Sequence, residues 1–315
     1  MSARKIITVL GATGAQGGSV ADVFLSDTKL HCEWTVRAVT RDPSKPEAQK
    51  LRNRGAEVVR ADLDDKSSLI RVFTGAAAAF AVTNFWEEMS MDVEIQQGKN
   101  IVDAAKETGL PHLIWSSLRS VAELTKGKLS HVYHFESKAE VERYAIQQGV
   151  PSTFFLAGFY MQNLIGNLFK PEPPQNNWTL MLPMPENTPI PLFDVENTGN
   201  FVKAVVTKRD QLLNKRVLGA SRYQTPVEIV NGFTDQFPEL SKNAMYKRLS
   251  NEDFQKRLVE NFGLTPTAAL QTSETMMAMS EGGYFGFEPL DESLALLEEQ
   301  PTAWMQFLAR KVNIR

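Results

Sequence analysis

The stretch GATGAQG, Gly11 to Gly17, constrains this chain most. It follows IITVL (6 to 10), a short apolar run rich in β-branched residues, and it opens QGGSVADVFLSD, where apolar residues recur at helical spacing. A strand that turns into a helix through glycines is the opening βα unit of a dinucleotide-binding fold. In that frame Gly11 permits the tight turn, Gly14 lets the backbone approach a pyrophosphate, and Gly17 lets the helix pack closely. The helix N-terminus adds amide donors and the positive end of its dipole. Thr13, Ala15 and Gln16 complete the cofactor-facing loop. The competing reading is a glycine-rich turn that holds no ligand, and the order of elements argues against it.

Further strands are expected at TVRAVTR (35 to 41), AEVVRAD (56 to 62), AAAFAVT (77 to 83), HLIWSS (112 to 117) and STFFLAG (152 to 158). Helical stretches separate them: EAQKLRNRG, KSSLIRVFTG and the long VEIQQGKNIVDAAKETG. That alternation predicts an α/β fold, a Rossmann-type doubly wound parallel sheet with helices on both faces. From about residue 170, KPEPPQNN and LPMPENTPIPLFD break the rhythm with proline and asparagine, while Trp178, Leu180, Met181, Leu182 and Phe193 still supply core. Residues 1–165 are therefore expected to form the dinucleotide-binding domain, to which later segments return, and 166–315 a smaller C-terminal α+β lobe. LDESLALLEEQPTAWMQFLARK predicts two short helices, the second opened by Pro301.

The strand ends line the expected groove. A classical NAD enzyme carries an acidic residue at the end of the second strand; here that strand ends in Thr40 and Arg41, with Lys45 shortly after. Arg41 can pair with a 2′-phosphate, which favours NADP(H), and Asp42 keeps NAD(H) open. Asp62 and Leu63 end the third strand, where this fold lines the adenine, and Asp62 could also cap the helix that follows. Thr83, Asn84 and Phe85 end the fourth strand, beside the reversal in strand order.

Bulk properties remove other classes. A net charge of −3 provides no basic stripe for direct nucleic-acid binding. Cys32 is the sole cysteine, which excludes an internal disulfide and a cysteine-built zinc site, leaves no expectation of a metal, and suits a reducing compartment. The N-terminal apolar run is too short for a signal peptide, and no stretch approaches the roughly 20 apolar residues that span a bilayer. The expected location is cytoplasmic.

GATGAQGGSV, VRAVTRDPSK, VTNFWE, QGKNIVDAAKETG and HFESKAEVE together resemble the NmrA-like family, and the similarity continues into GFYMQNL. That family comprises atypical short-chain dehydrogenase relatives. The resemblance implies a dinucleotide-binding domain with a small C-terminal lobe and, in several members, regulation of a transcription factor in place of turnover. A transcription-factor or other protein partner and a nuclear location are implied by this route. By position it places cofactor contacts on Gly11 to Gly17, on Arg41 and Lys45, on Thr83 to Phe85, on Lys138, and on Phe159, Tyr160, Met161, Gln162 and Asn163. Gln96 departs from the basic residue expected there. A fainter likeness to isoflavone-reductase-like enzymes points to a lone catalytic lysine.

The stretch HVYHFESKAEVERY (131 to 144) bears on turnover. Short-chain dehydrogenases carry Tyr and Lys four residues apart, yet Tyr133 precedes Lys138 by five and His134 takes the expected slot. On a helix, positions four apart lie about 40° apart and positions five apart about 140°. His134 and Lys138 therefore share a face that Tyr133 does not. Lys138 remains suited to ribose hydroxyls. His134 reads as a general acid, a pocket wall or a non-catalytic histidine. Ser117 occupies the place of the usual catalytic serine, and Tyr160 is a further candidate acid or an aromatic at the lobe interface. Met276, Met277 and Met279 could line an adaptable partner or substrate surface, with an ordinary buried helix face the preferred reading, and Trp304 with Phe307 read as packing. The preferred reading is an NADP(H)-responsive regulator without the Tyr-Lys pair. The alternative is an NADPH-dependent reductase of a small aromatic or carbonyl substrate that uses Lys138, His134, Ser117 and Tyr160. Oligomerisation is left open.

Overall fold

The computed structural model describes residues 3–310. Lys311, at the end of the expected C-terminal helical stretch, lies outside them. Six strands appear where the apolar runs predict them: β1 (Lys5–Val9), β2 (Trp34–Thr40), β3 (Glu57–Arg60), β4 (Ala78–Ala81), β5 (Leu113–Ser117) and β6 (Ser152–Ala157). A seventh, Arg216–Gly219, had no signal strong enough to be read. All pair in parallel, in the order Arg216–Gly219, β6, β5, β4, β1, β2, β3. β1 lies at the reversal, with Val9 opposite Ala38 of β2 on one side and Phe80 of β4 on the other. A crevice opens beyond the carboxyl ends of these strands, where such sheets take ligands.

The strands are nearly continuous in apolar residues because both faces are covered. Leu69, Ile101, Leu113, Trp115 and Val141 pack on one face, and Val20, Phe24, Phe155, Phe201 and Val205 on the other. Small residues allow the helices to close. A Cβ added at Gly98, on the helix Met91–Glu107, would lie 2.2 Å from Val141 Cγ2 on the helix Tyr133–Gln147. One at Gly199 would lie 2.4 Å from the Ser19 carbonyl on the helix Ala15–Ser26.

The second lobe holds a core of its own, built on Phe169, Trp178, Leu180, Phe233, Phe254 and Trp304. Two three-stranded sheets frame it. One centres on Ile190–Phe193 and includes Phe159–Tyr160; the other centres on Asn177–Leu182. The helix Pro266–Glu281 turns Met276 and Met279 into the interior and leaves Met277 partly exposed. Trp304 and Phe307 stack at 5.7 Å, as packing requires.

Two local expectations are corrected. Asp62 does not cap the helix Lys66–Phe73: Asp65 accepts from the amides of Ser67 and Ser68, because it stands one residue before the first turn. Pro301 does not open the last helix, which runs Trp304–Arg310; Thr302 and Ala303 intervene, and the Thr302 amide is taken by Asn197 Oδ1. Among the described residues no helix is long and apolar enough to cross a membrane, and no His, Cys, Asp and Glu cluster could hold a metal ion.

Candidate functional site

A cavity of about 690 Å³ lies over the carboxyl ends of the strands and reaches into the second lobe. Its floor is the glycine loop. Gly11 has φ +64°, a conformation that side chains disfavour. A Cβ on Gly17 would meet the Gly11 carbonyl oxygen at 2.3 Å, so only glycine lets this helix rest on the loop. Gly14 caps the helix Ala15–Ser26 without a side-chain hydrogen bond, which leaves the first amides of the helix to the cavity. Thr13, Ala15 and Gln16 line the same floor. A helix start with no side-chain cap, on a cradle too tight for side chains, fits a pyrophosphate.

At one end lie Arg41, Lys45, Asp62 and Leu63. Arg41 forms a two-pronged ion pair with Glu87, Nη1 to Oε1 at 2.5 Å and Nη2 to Oε2 at 3.1 Å. Thr83, Asn84 and Phe85 form the middle, followed by Lys138 and then Phe159, Tyr160 and Asn163. Met161 and Gln162 do not line the cavity, a correction to their expected cofactor contacts. Met161 is fully buried in the second lobe's core, and Gln162 turns its amide to Asp194 Oδ1 at 2.6 Å.

Lys138 is buried, and its ammonium donates to Glu94 Oε1 at 2.8 Å, Thr83 Oγ1 at 2.8 Å and the Thr83 carbonyl at 3.2 Å. Glu94 is itself buried and accepts from the Thr83 and Ser137 hydroxyls. Burial pushes its carboxyl up, but the Lys138 ammonium and the two hydroxyl donors outweigh that and hold it below the usual carboxylate range. Sequence reading missed Glu94, whose only signal was an acidic residue on the inner face of an amphipathic helix.

His134 and Lys138 both line the cavity, whereas Tyr133 faces His131, their rings 6.0 Å apart edge to face. The His134 ring lies 4.9 Å from Trp86 and 5.0 Å from Phe135. Burial, reinforced by the Lys138 ammonium, pushes its pKa down to about 4, so it is neutral at pH 7. Ser117 turns its hydroxyl to Glu142, which is buried and paired with Arg216 at 2.7 Å. Its neighbour Ser116, overlooked in sequence, points the other way, as alternate strand residues must. The Ser116 hydroxyl donates to Gln16 Oε1 at 2.8 Å, and Gln16 Nε2 donates to the Tyr160 hydroxyl at 2.7 Å. Tyr160 is therefore brought together with the glycine loop. Beyond it the cavity ends against Thr272, Thr275 and Met276 of the helix Pro266–Glu281 and against Tyr284.

A doubly wound sheet with a glycine loop at its reversal point and a groove running into a second lobe defines a Rossmann-type dinucleotide-binding protein. The profile of the NmrA-like family matches residues 3–308. The chain belongs to that family. It is 32% identical over 310 residues to cpsB of Aspergillus campestris, an NmrA-like family domain-containing oxidoreductase, with 91% of this chain and 87% of that protein covered. It superimposes on NmrA, a negative transcriptional regulator, with a TM-score of 0.80 at 21% identity, covering 98% of this chain and 96% of that one. It also superimposes on the NADPH-dependent quinone oxidoreductase QOR2 of Escherichia coli complexed with NADPH, with a TM-score of 0.76 at 20% identity, covering 98% and 99%.

Proposed function

We propose that this protein is an NADP(H)-dependent oxidoreductase acting on a small, uncharged aromatic substrate. The observation that carries the reading is the cavity's continuity: it does not stop at Lys138 but runs past Tyr160 to a wall on the second lobe, where Met276 and Tyr284 stand beside Thr272 and Thr275. A pocket of this volume, polar around the glycine loop and Arg41 and aromatic around Phe85, Trp86 and Phe159, has room for a cofactor and a small molecule together. The oxidoreductase relative that aligns with 91% of the chain supports it.

In this reading the amides at Gly14 to Gly17 hold the pyrophosphate, Arg41 and Lys45 the 2′-phosphate, and Asp62 and Leu63 the adenine. Thr83 to Phe85, Lys138 and Asn163 flank the nicotinamide half. A bound nicotinamide supplies or accepts a hydride. Lys138, with Glu94 behind it, keeps a fixed positive charge near the ribose, and Trp86, Phe85 and the neutral His134 exclude water. His134 then acts as wall and not as acid, and Ser117 orders Glu142.

The test is titration of cofactor-stripped protein with the four nicotinamide cofactors, followed by the nicotinamide absorbance with a panel of aromatic ketones and quinones. Substrate-dependent loss of NADPH is expected. Tight NADPH binding with no consumption across the panel overturns the reading. Arg41→Ala is expected to cut the NADPH over NADH affinity ratio roughly tenfold or more, the weight of a charge-assisted bond; an unchanged ratio removes Arg41 from the site.

A second reading, a cofactor-responsive regulator acting through a protein partner, is favoured by one observation: all three Lys138 donors are engaged by the protein and no tyrosine stands four residues before it. It requires NADP(H) to bind two conformations unequally. Its signature is NADPH-dependent association with a partner and no turnover.

A further inference from the structure

Of the groups near the far end of the cavity, two already have their protons engaged by the protein: Lys138 donates to Thr83 and Glu94, and Ser117 donates to Glu142. His134, a neutral ring that keeps one N–H, is packed against Trp86 and Phe135. Tyr160 differs. Its oxygen accepts from Gln16, and among the described residues no acceptor lies within bonding distance of its hydrogen.

We propose that Gln16 is a positioning residue that turns the Tyr160 O–H into the cavity, and that the substrate therefore carries an uncharged hydrogen-bond acceptor, a carbonyl or imine, on an aromatic frame. The chain of bonds has a direction. In this structure the amide oxygen of Gln16 faces Ser116 and accepts from its hydroxyl, and the amide nitrogen faces Tyr160. An amide nitrogen only donates, so the phenol must accept there and keep its own hydrogen free. Burial raises the phenol's pKa and the Gln16 bond opposes the rise, so at neutral pH Tyr160 is a protonated donor. The surroundings select the rest of the ligand. Phe85, Trp86, Phe159, Met276 and Tyr284 are apolar or aromatic, and the Lys138 charge is offset by its ion pair with Glu94. An ionised ligand would lose its hydration without a counter-charge.

Gln16 also belongs to the loop proposed to hold the pyrophosphate, so the element that seats the cofactor aims the donor. That the ligand is a substrate rests on the oxidoreductase reading; the donor geometry does not. The test uses the full chain saturated with NADP⁺, which cannot reduce a ketone, titrated calorimetrically with 2-acetylnaphthalene and 2-ethylnaphthalene. These probes have nearly the same shape and differ in the carbonyl oxygen. The wild type is expected to favour the ketone roughly two- to tenfold, the worth of one hydrogen bond.

Tyr160→Phe is expected to bring the two probes to parity. So is Gln16→Glu, because a carboxylate still accepts from Ser116 but draws the phenol hydrogen toward itself. A merely structural Gln16 would weaken both probes equally and leave their ratio alone. Parity in the wild type, a ketone that fails to bind, or a ketone preference that survives Gln16→Glu overturns the proposal. A ketone preference in a protein that consumes no NADPH sinks the oxidoreductase reading while the donor role of Tyr160 stands. NADPH consumption with parity of the probes does the reverse.

Discussion

Lys138 and Glu94 form the costliest pair in the site. Each is buried, and neither is tolerable alone: an unpaired ion in an apolar interior loses its hydration without return. Lys138→Met is therefore expected to destabilise the fold by about 3–5 kcal/mol, since it strands the Glu94 carboxylate. Adding Glu94→Gln should recover most of that loss, because the amide is neutral and still accepts from Thr83 and Ser137. Urea unfolding of the single and double variants measures it. Additive losses in the double variant would mean the two groups do not interact. Lys138 was visible in sequence from its spacing to His134. Glu94 was not, because 44 residues separate it from its partner.

Elements in this protein are set by how closely they meet. The helix Met91–Glu107 carries Glu94 and the helix Tyr133–Gln147 carries Lys138, and Gly98 against Val141 sets their separation. Gly98→Ala would gain about 1 kcal/mol of helix propensity, but its Cβ would sit 2.2 Å from Val141 Cγ2. Overpacking of that kind costs about 1–3 kcal/mol, so a net loss of stability is expected. Gly98→Ala with Val141→Ala should turn the loss toward a gain, apart from the small cavity left. Thermal unfolding of both variants decides it, and a single variant as stable as the wild type would show that the helices have room. The strands and main helices of the first lobe were legible because their apolar patterns are local. The strand Arg216–Gly219 was not, for it is four residues long and is held by β6, some 60 residues earlier in the chain.

Across the whole molecule, stability should depend on pH through its buried histidines. His112 is 1% exposed, and its ring nitrogen Nε2 lies 2.9 Å from Thr153 Oγ1. Burial lowers its pKa to about 4, as it does for His134. The unfolded chain takes the proton first, near pH 6.5. Stability is thus flat above that value and erodes as pH falls toward 4, by about 3 kcal/mol for His112. Urea midpoints at pH 7, 5.5 and 4.5 should fall in order, and His112→Gln, which keeps a donor for Thr153, should flatten the decline. Equal midpoints at pH 7 and 4.5 would exclude it.

The sequence by itself determined the parallel sheet, the glycine cradle, and the face shared by His134 and Lys138, since each follows from a short-range period or a steric demand on one residue. Only the tertiary structure decided which polar groups are free to act. Ser117 and Ser116 are adjacent in the chain, yet one is bound to Glu142 and the other reaches through Gln16 to Tyr160, 144 residues from Gln16. Hydrogen bonds between distant segments leave no periodic trace in the chain, because their partners are chosen by packing and not by spacing.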